Sequence, residues 1–139
     1  MNHYTYSEIA IGHEESFNVK VTEKMMDSFF EITGDSNPLH RDENYAKQAG
    51  FGERVVYGML TASFLSTLAG VYLPGEYSLI HTTETEFAKP VRIGDELTIK
   101  GVVKEKDDNF KLIWLKVTII NQKGEKVCRA KMRIGLMKW

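Results

Sequence analysis

From Val55 to Leu73 no residue carries a charge, and the apolar side chains in this run keep to no single face. Met59, Leu60, Phe64, Leu65, Leu68, Val71 and Leu73 go round a helix rather than along one stripe. A helix without a polar face must be buried on most of its sides. The run is long enough to cross a bilayer, but it is interrupted by Gly58, Thr61, Ser63, Ser66, Thr67 and Gly70, and strand-like segments follow at once. We therefore expect a core helix from about Gly58 to just before Pro74-Gly75, and no membrane partner. Its small residues, Ala62, Ser63, Ala69 and Gly70, would let other backbone approach closely.

What surrounds such a helix follows from the second half of the chain, where the period changes to two. Leu97, Ile99 and Val103 alternate with Glu96, Thr98, Lys100 and Lys104. Ile113, Leu115, Val117 and Ile119 share one face, as do Cys128, Ala130, Met132, Ile134 and Leu136. These are strands with one wet and one apolar face. Asp107-Asp108-Asn109 and Gln122-Lys123-Gly124 are turns between them, so consecutive strands should form an antiparallel meander. Tyr77 to Phe87 and Ser16 to Val21 read as further strands with weaker patterns. An apolar sheet face and an apolar helix bury each other. The expected fold is α+β, one domain over 1–139, with exposed edges that favour pairing with a second copy.

Ahead of the core helix, Thr22 can cap a helix running to Thr33, with Met25, Phe29 and Ile32 on one face. Gly34 suits its C-terminal end, because glycine tolerates positive φ. Asp42 can cap a second short helix through Tyr45 and Ala46, ending at Gly50.

Composition bounds function. The 139 residues suit a single core, and with a formal net charge of -1 and scattered basic residues nothing points to a phosphate-coating nucleic-acid binder. No basic stretch followed by an apolar run opens the chain, so no signal peptide is expected. The single cysteine, Cys128, forbids an internal disulfide and fits a reducing cytoplasm. It should face the core. No cluster of His, Cys, Asp or Glu has metal-ligand spacing, so no metal is expected. His3, His13 and His81 read as surface residues.

The segment with chemical content lies between the first two helices, from Gly34 to His40. Pro38 pushes Asn37 to extended geometry, so the chain must turn between Asp35 and His40. The two side chains could then converge on one point. A carboxylate and an imidazole around one water can take a proton from it and deliver one to carbon. Positioned proton transfer of this kind contributes about 100- to 10,000-fold in rate. The other reading of the same residues is turn chemistry, with Asp35 closing a loop and His40 merely hydrogen-bonded.

Thr33-Gly34-Asp35-Ser36-Asn37-Pro38-Leu39-His40 closely resembles the signature of the (R)-specific enoyl-CoA hydratases and MaoC-like dehydratases. Arg41-Asp42 and Tyr45-Ala46 continue the match. It resumes at Tyr57-Gly58-Met59-Leu60-Thr61-Ala62-Ser63 and again from Phe87-Ala88-Lys89-Pro90-Val91 to Gly94-Asp95-Glu96-Leu97. The G-D-x-N-P-x-H string is specific, whereas the later patterns are shared more widely among hot-dog proteins. The H-x-x-x-G-x-P-x-x-P string of another dehydratase group is absent.

The resemblance implies a hot-dog fold, a long helix wrapped by an antiparallel sheet, in a homodimer or higher homo-oligomer. It implies that Asp35 and His40 activate the water added to a trans-2-enoyl thioester. It implies that the Gly58 N–H holds the thioester oxygen, and that Asn37, Tyr57, Met59 and Ser66 lie at the substrate. The substrate would be an acyl-CoA or acyl-carrier thioester. Coenzyme A enters only with it, and no other cofactor is implied. Lys89 and Arg92 stay open between coenzyme A phosphate contacts and plain exposed charge. The sequence departs from the pattern twice. Glu43 stands where proline is usual, which concerns a helix start, and Tyr57 stands where histidine is frequent before the glycine. A thioesterase on the same fold and a non-catalytic thioester-binding subunit remain the alternatives.

Overall fold

The computed structural model describes Met1–Trp139. In chain order the elements are β1 (Glu14–Lys20), α1 (Glu23–Thr33), α2 (Pro38–Arg41), α3 (Glu43–Gln48), α4 (Gly58–Thr67), β2 (Ser78–Phe87), β3 (Glu96–Asp107), β4 (Leu112–Ile120) and β5 (Lys126–Leu136). A wide helical turn, Leu68–Tyr72, continues α4.

The strands form one antiparallel sheet in the order β1-β3-β4-β5-β2. The meander expected from the turn residues is β3-β4-β5. β1 adds to the free side of β3 and β2 to the free side of β5, so these two are the edges. The period-two pattern survives in burial: Leu97, Ile99, Val103, Ile113, Leu115, Val117, Ile119, Met132 and Ile134 are all buried on the inner face. Cys128 is buried there too, as expected. A bulge in β3 between Val103 and Glu105 resets its register after Lys104.

Helix α4 and its wide turn lie on that inner face. Leu60, Leu65, Leu68 and Ala69 are buried, Leu68 and Ala69 completely. Leu68 reaches the sheet at Gly101 of β3. A Cβ built on Gly101 would lie 2.9 Å from Leu68 Cδ2, so the missing side chain is what admits the helix. The wide turn touches β1, β2 and β3. No helix is long and apolar enough to cross a membrane.

The caps are where the sequence put them. The Thr22 hydroxyl accepts from Met25 N–H at 3.2 Å, Gly34 ends α1 with φ 70°, and Asp42 accepts from Tyr45 N–H at 3.0 Å. With Asp42 in place, Glu43 begins α3 without proline. An acid there also suits the positive end of the helix dipole.

Four expectations need correction. The core helix is not buried all round: Met59 is 64% exposed, and Ser63 and Ser66 are exposed too. This side faces β2, whose width does not close over it. Ile32, grouped with Met25 and Phe29 on one apolar face of α1, is 82% exposed. The turn between Asp35 and His40 is there, but Pro38–Arg41 forms a short helix, α2, that was not expected from the sequence. His13 is only partly exposed; it bonds Glu15 at 3.4 Å and packs edge-on against Tyr4.

Candidate active site

Three segments build the site: the 35–41 loop, the strip 54–57 and the first turn of α4. Asn37 organises the loop. Its side chain accepts from Leu39 N–H at 3.0 Å, and Pro38 occupies the first turn of α2, where its missing N–H is harmless. Asp35 closes the loop from the other side: its Oδ1 accepts from Asn37 N–H at 3.0 Å. The turn chemistry read in the sequence is therefore real, but it uses one carboxylate oxygen only. Asp35 itself is exposed.

His40 is held at both its backbone and its ring. Arg54 Nε donates to its carbonyl at 2.8 Å. Its Nδ1 lies 2.8 Å from the carbonyl of Val55. A carbonyl only accepts, so Nδ1 must carry the proton. That places the neutral ring's lone pair on Nε2, the atom fit to act as a base. The strip is itself anchored, with Val55 N–H donating to Leu39 and Val56 N–H to Val91.

Tyr57 braces this arrangement from beneath. It is 1% exposed. Its hydroxyl donates to the carbonyl of Asp35 at 2.7 Å, and its ring lies 4.4 Å from the His40 ring and 4.7 Å from that of Phe29. Burial pushes the Tyr57 phenol above its ordinary pKa, so it remains a donor through neutral and mildly alkaline conditions. One buried side chain thus touches both ends of the loop.

Two openings flank it. The first, about 240 Å³, is bordered by His40, Val56, Gly58, Thr61, Phe87 and Val91, among others. The second is an open groove of about 740 Å³, bordered by Asp35, Met59, Ser66, Phe29, Ile80 and Phe87, among others. Phe87, half exposed at the end of β2, borders both. Its ring also covers Gly58: a Cβ there would sit 3.3 Å from Phe87 Cδ1 and Cε1. The α4 ladder begins with Leu60 and Thr61 donating to Tyr57, so the N–H groups of Gly58 and Met59 precede it, as at any helix start.

The site residues named from sequence divide accordingly. Gly58 joins His40 in the smaller cavity. Met59 and Ser66 join Asp35 in the groove. Asn37 borders neither and acts as a cap. Tyr57 also borders neither, because it lies under the loop. Lys89 pairs with Glu125 at 2.7 Å, and Arg92 Nη1 donates to the carbonyl of Glu53 at 3.1 Å. Phe87 as the wall common to both openings, and the Val55 carbonyl as the group that orients His40, were not foreseen. The second has no sequence signal, since any residue carries a carbonyl.

A family model, the MaoC like domain, matches residues 8–124. The chain belongs to the MaoC-like dehydratase family. It is 35% identical over 108 residues to an (R)-specific enoyl-CoA hydratase of Rhodospirillum rubrum, covering 75% of this chain and 74% of that one. It is 34% identical over 100 residues to a 3-hydroxybutyryl-CoA dehydratase of Methylorubrum extorquens, covering 72% of this chain and 64% of the relative's length. An R-hydratase from Pseudomonas aeruginosa superposes with a TM-score of 0.91 at 27% identity, over 97% of this chain and 86% of that one. MaoC-like relatives with these names are hydro-lyases, and the architecture described above is their α+β hot-dog fold.

Proposed function

We propose that this protein hydrates trans-2-enoyl thioesters to (R)-3-hydroxyacyl thioesters, or dehydrates the latter, with Asp35 and His40 as the acid–base pair. The observation that carries the proposal is the lock on His40. Its Nδ1–H is committed to Val55, which leaves Nε2 free, and His40 borders the cavity that Gly58 also borders. Asp35 is tied to the same brace through Tyr57.

In the forward direction, the oxygen of a water held between the two groups bonds to the β-carbon. His40 Nε2 takes one of the two water protons and passes that same proton to the α-carbon, while the Asp35 carboxylate accepts a hydrogen bond from the remaining O–H and orients the water. The hydroxyl stays on the β-carbon, and both side chains end as they began. Negative charge develops meanwhile on the thioester oxygen as an enolate. The unpaired N–H of Gly58, at the positive end of α4, is the natural partner for that charge. The absence of a Cβ lets the oxygen approach. Water addition reverses by the same steps, so metabolite levels set the direction.

The reaction needs no resident cofactor; coenzyme A, or a carrier protein, arrives with the acyl group. Met59, Leu65, Phe29 and Ile80 give the groove an apolar wall suited to an acyl chain, with Ser66 a polar point beside them. The exposed β2 edge and the uncovered side of α4 support a homodimer. The buried, unpaired Cys128 is compatible with a reducing cytoplasm.

The test is the ultraviolet absorbance of crotonyl-CoA, a conjugated thioester. It should decline when protein is added, and the product should be the (R) isomer. Asp35→Asn and His40→Gln should each abolish the decline while circular dichroism stays unchanged. Full activity in both variants would end the assignment. Release of free thiol would instead identify a thioesterase, and tight binding without loss of absorbance a non-catalytic subunit.

A further inference from the structure

Thr61 is 1% exposed, and its hydroxyl has no hydrogen-bond partner anywhere in the protein. An orphaned buried hydroxyl is destabilising, and valine would fill the same space without that penalty. A threonine so placed calls for a reason. Its surroundings supply one, because Thr61 borders the cavity that also holds His40 and Gly58. The position is specific as well. Thr61 follows Gly58 by three residues on α4, so the two share one face of the first turn. Helical side chains lean towards the helix N-terminus, which carries the Thr61 hydroxyl back towards the unpaired N–H groups at the start of α4. The backbone N–H of Thr61 already donates to Tyr57, and the hydroxyl takes no acceptor of its own.

We infer that the Thr61 hydroxyl is a second donor to the thioester oxygen, working beside the Gly58 N–H. The inference rests on the proposed hydratase reading and deepens it: the enolate oxygen would be held by one backbone and one side-chain donor on the same helical turn. Because the hydroxyl is closed off from bulk water, its partner has to enter through the cavity. Phe87, whose half-exposed ring lies against Gly58, forms one wall of that cavity.

The test compares Thr61→Val, which removes the hydroxyl at nearly constant volume, with Thr61→Ser, which keeps it. With crotonyl-CoA, kcat for Thr61→Val should fall by about tenfold to a hundredfold, because the donor acts mainly on charge present in the transition state. KM should change by less than about twofold. Thermal unfolding should occur at an unchanged or higher temperature, since the orphaned group is gone. Thr61→Ser should restore kcat. An unchanged kcat in Thr61→Val would overturn the inference. So would a parallel loss of rate and stability that serine fails to rescue, because that pattern belongs to packing alone.

A second readout separates this inference from the hydratase reading. Acetoacetyl-CoA forms an enolate with its own absorbance band, and wild-type protein should intensify that band more than Thr61→Val does. If wild-type protein hydrates no enoyl-CoA yet shows this difference, the hydratase reading falls and the donor stands. If wild-type protein is an active hydratase and the two proteins treat the enolate alike, the donor falls and the hydratase stands.

Discussion

The phenol of Tyr57 donates to the backbone carbonyl of Asp35 at 2.7 Å, so a residue at the head of one helix holds the loop that follows another. The same ring packs on His40. Removing only the hydroxyl tests whether that brace matters. Tyr57→Phe keeps the packing and loses a hydrogen bond worth about 1 kcal/mol. We expect a small loss of unfolding free energy of that size, and about a tenfold drop in kcat for crotonyl-CoA with KM nearly constant. Equal kcat in the two proteins would show that the loop holds its shape without the brace.

Gly58→Ala adds a methyl 3.3 Å from two ring carbons of Phe87. That is tight, but Phe87 is half exposed and can yield. The fold should tolerate the change within about 1 kcal/mol of unfolding free energy. The thioester oxygen, by contrast, would meet a Cβ where it needs an open N–H. Hydration should fall by about a hundredfold, the scale of a lost oxyanion donor. A variant with normal kcat would place the thioester oxygen elsewhere.

Gly101→Ala is the opposite case. Its methyl would lie 2.9 Å from Leu68 Cδ2, so the fully buried Leu68 side chain would have to shift within the core. Overpacking of this kind costs about 1–3 kcal/mol. Urea unfolding should move to a clearly lower midpoint, and an unchanged midpoint would mean that the helix is not seated as described.

Alkali should weaken the fold through Tyr6. Burial, reinforced by its hydrogen bond to Asp108, pushes its phenol from the ordinary value of 10.0 to about 12. A phenol with a raised folded pKa contributes stability fully below its unfolded value and loses it as pH climbs towards the folded one. Unfolding free energy should therefore decline between pH 10 and about 12. In Tyr6→Phe the decline over the same window should be shallower, as chemical denaturation at several pH values would reveal. Equal slopes would remove Tyr6 as the cause.

Much of the architecture was legible because local patterns and global packing agree here. The alternation in β3, β4 and β5 predicts their buried faces residue by residue, and Thr22, Gly34 and Asp42 mark helix ends by chemistry that depends on short-range hydrogen bonds. β2 was harder to read because it is an edge with both faces largely exposed, so no apolar period is imposed on it. Ile32 misled because a helical stripe records which side chains are apolar, not how far the sheet extends to cover them. α2 carried a signal that could have been used: Asn37 as cap with proline at the first helical position. The Asp35–His40 segment was visible from its resemblance to the MaoC-like pattern. The brace under it was not, since Tyr57 lies 22 residues from Asp35 and only the folded chain brings them together.

The seat of Leu68 in the gap above Gly101 bears on more than stability. Leu68 and Gly58 belong to one rod, ten residues or about 15 Å apart at 1.5 Å per residue. Fixing the rod's far end against β3 sets how far its near end projects towards Phe87. A glycine in the middle of the sheet, in contact with no substrate, thereby helps seat the helix whose first turn carries the Gly58 amide. Changes in turnover could then arise from substitutions on a strand that no map of the cavity would include.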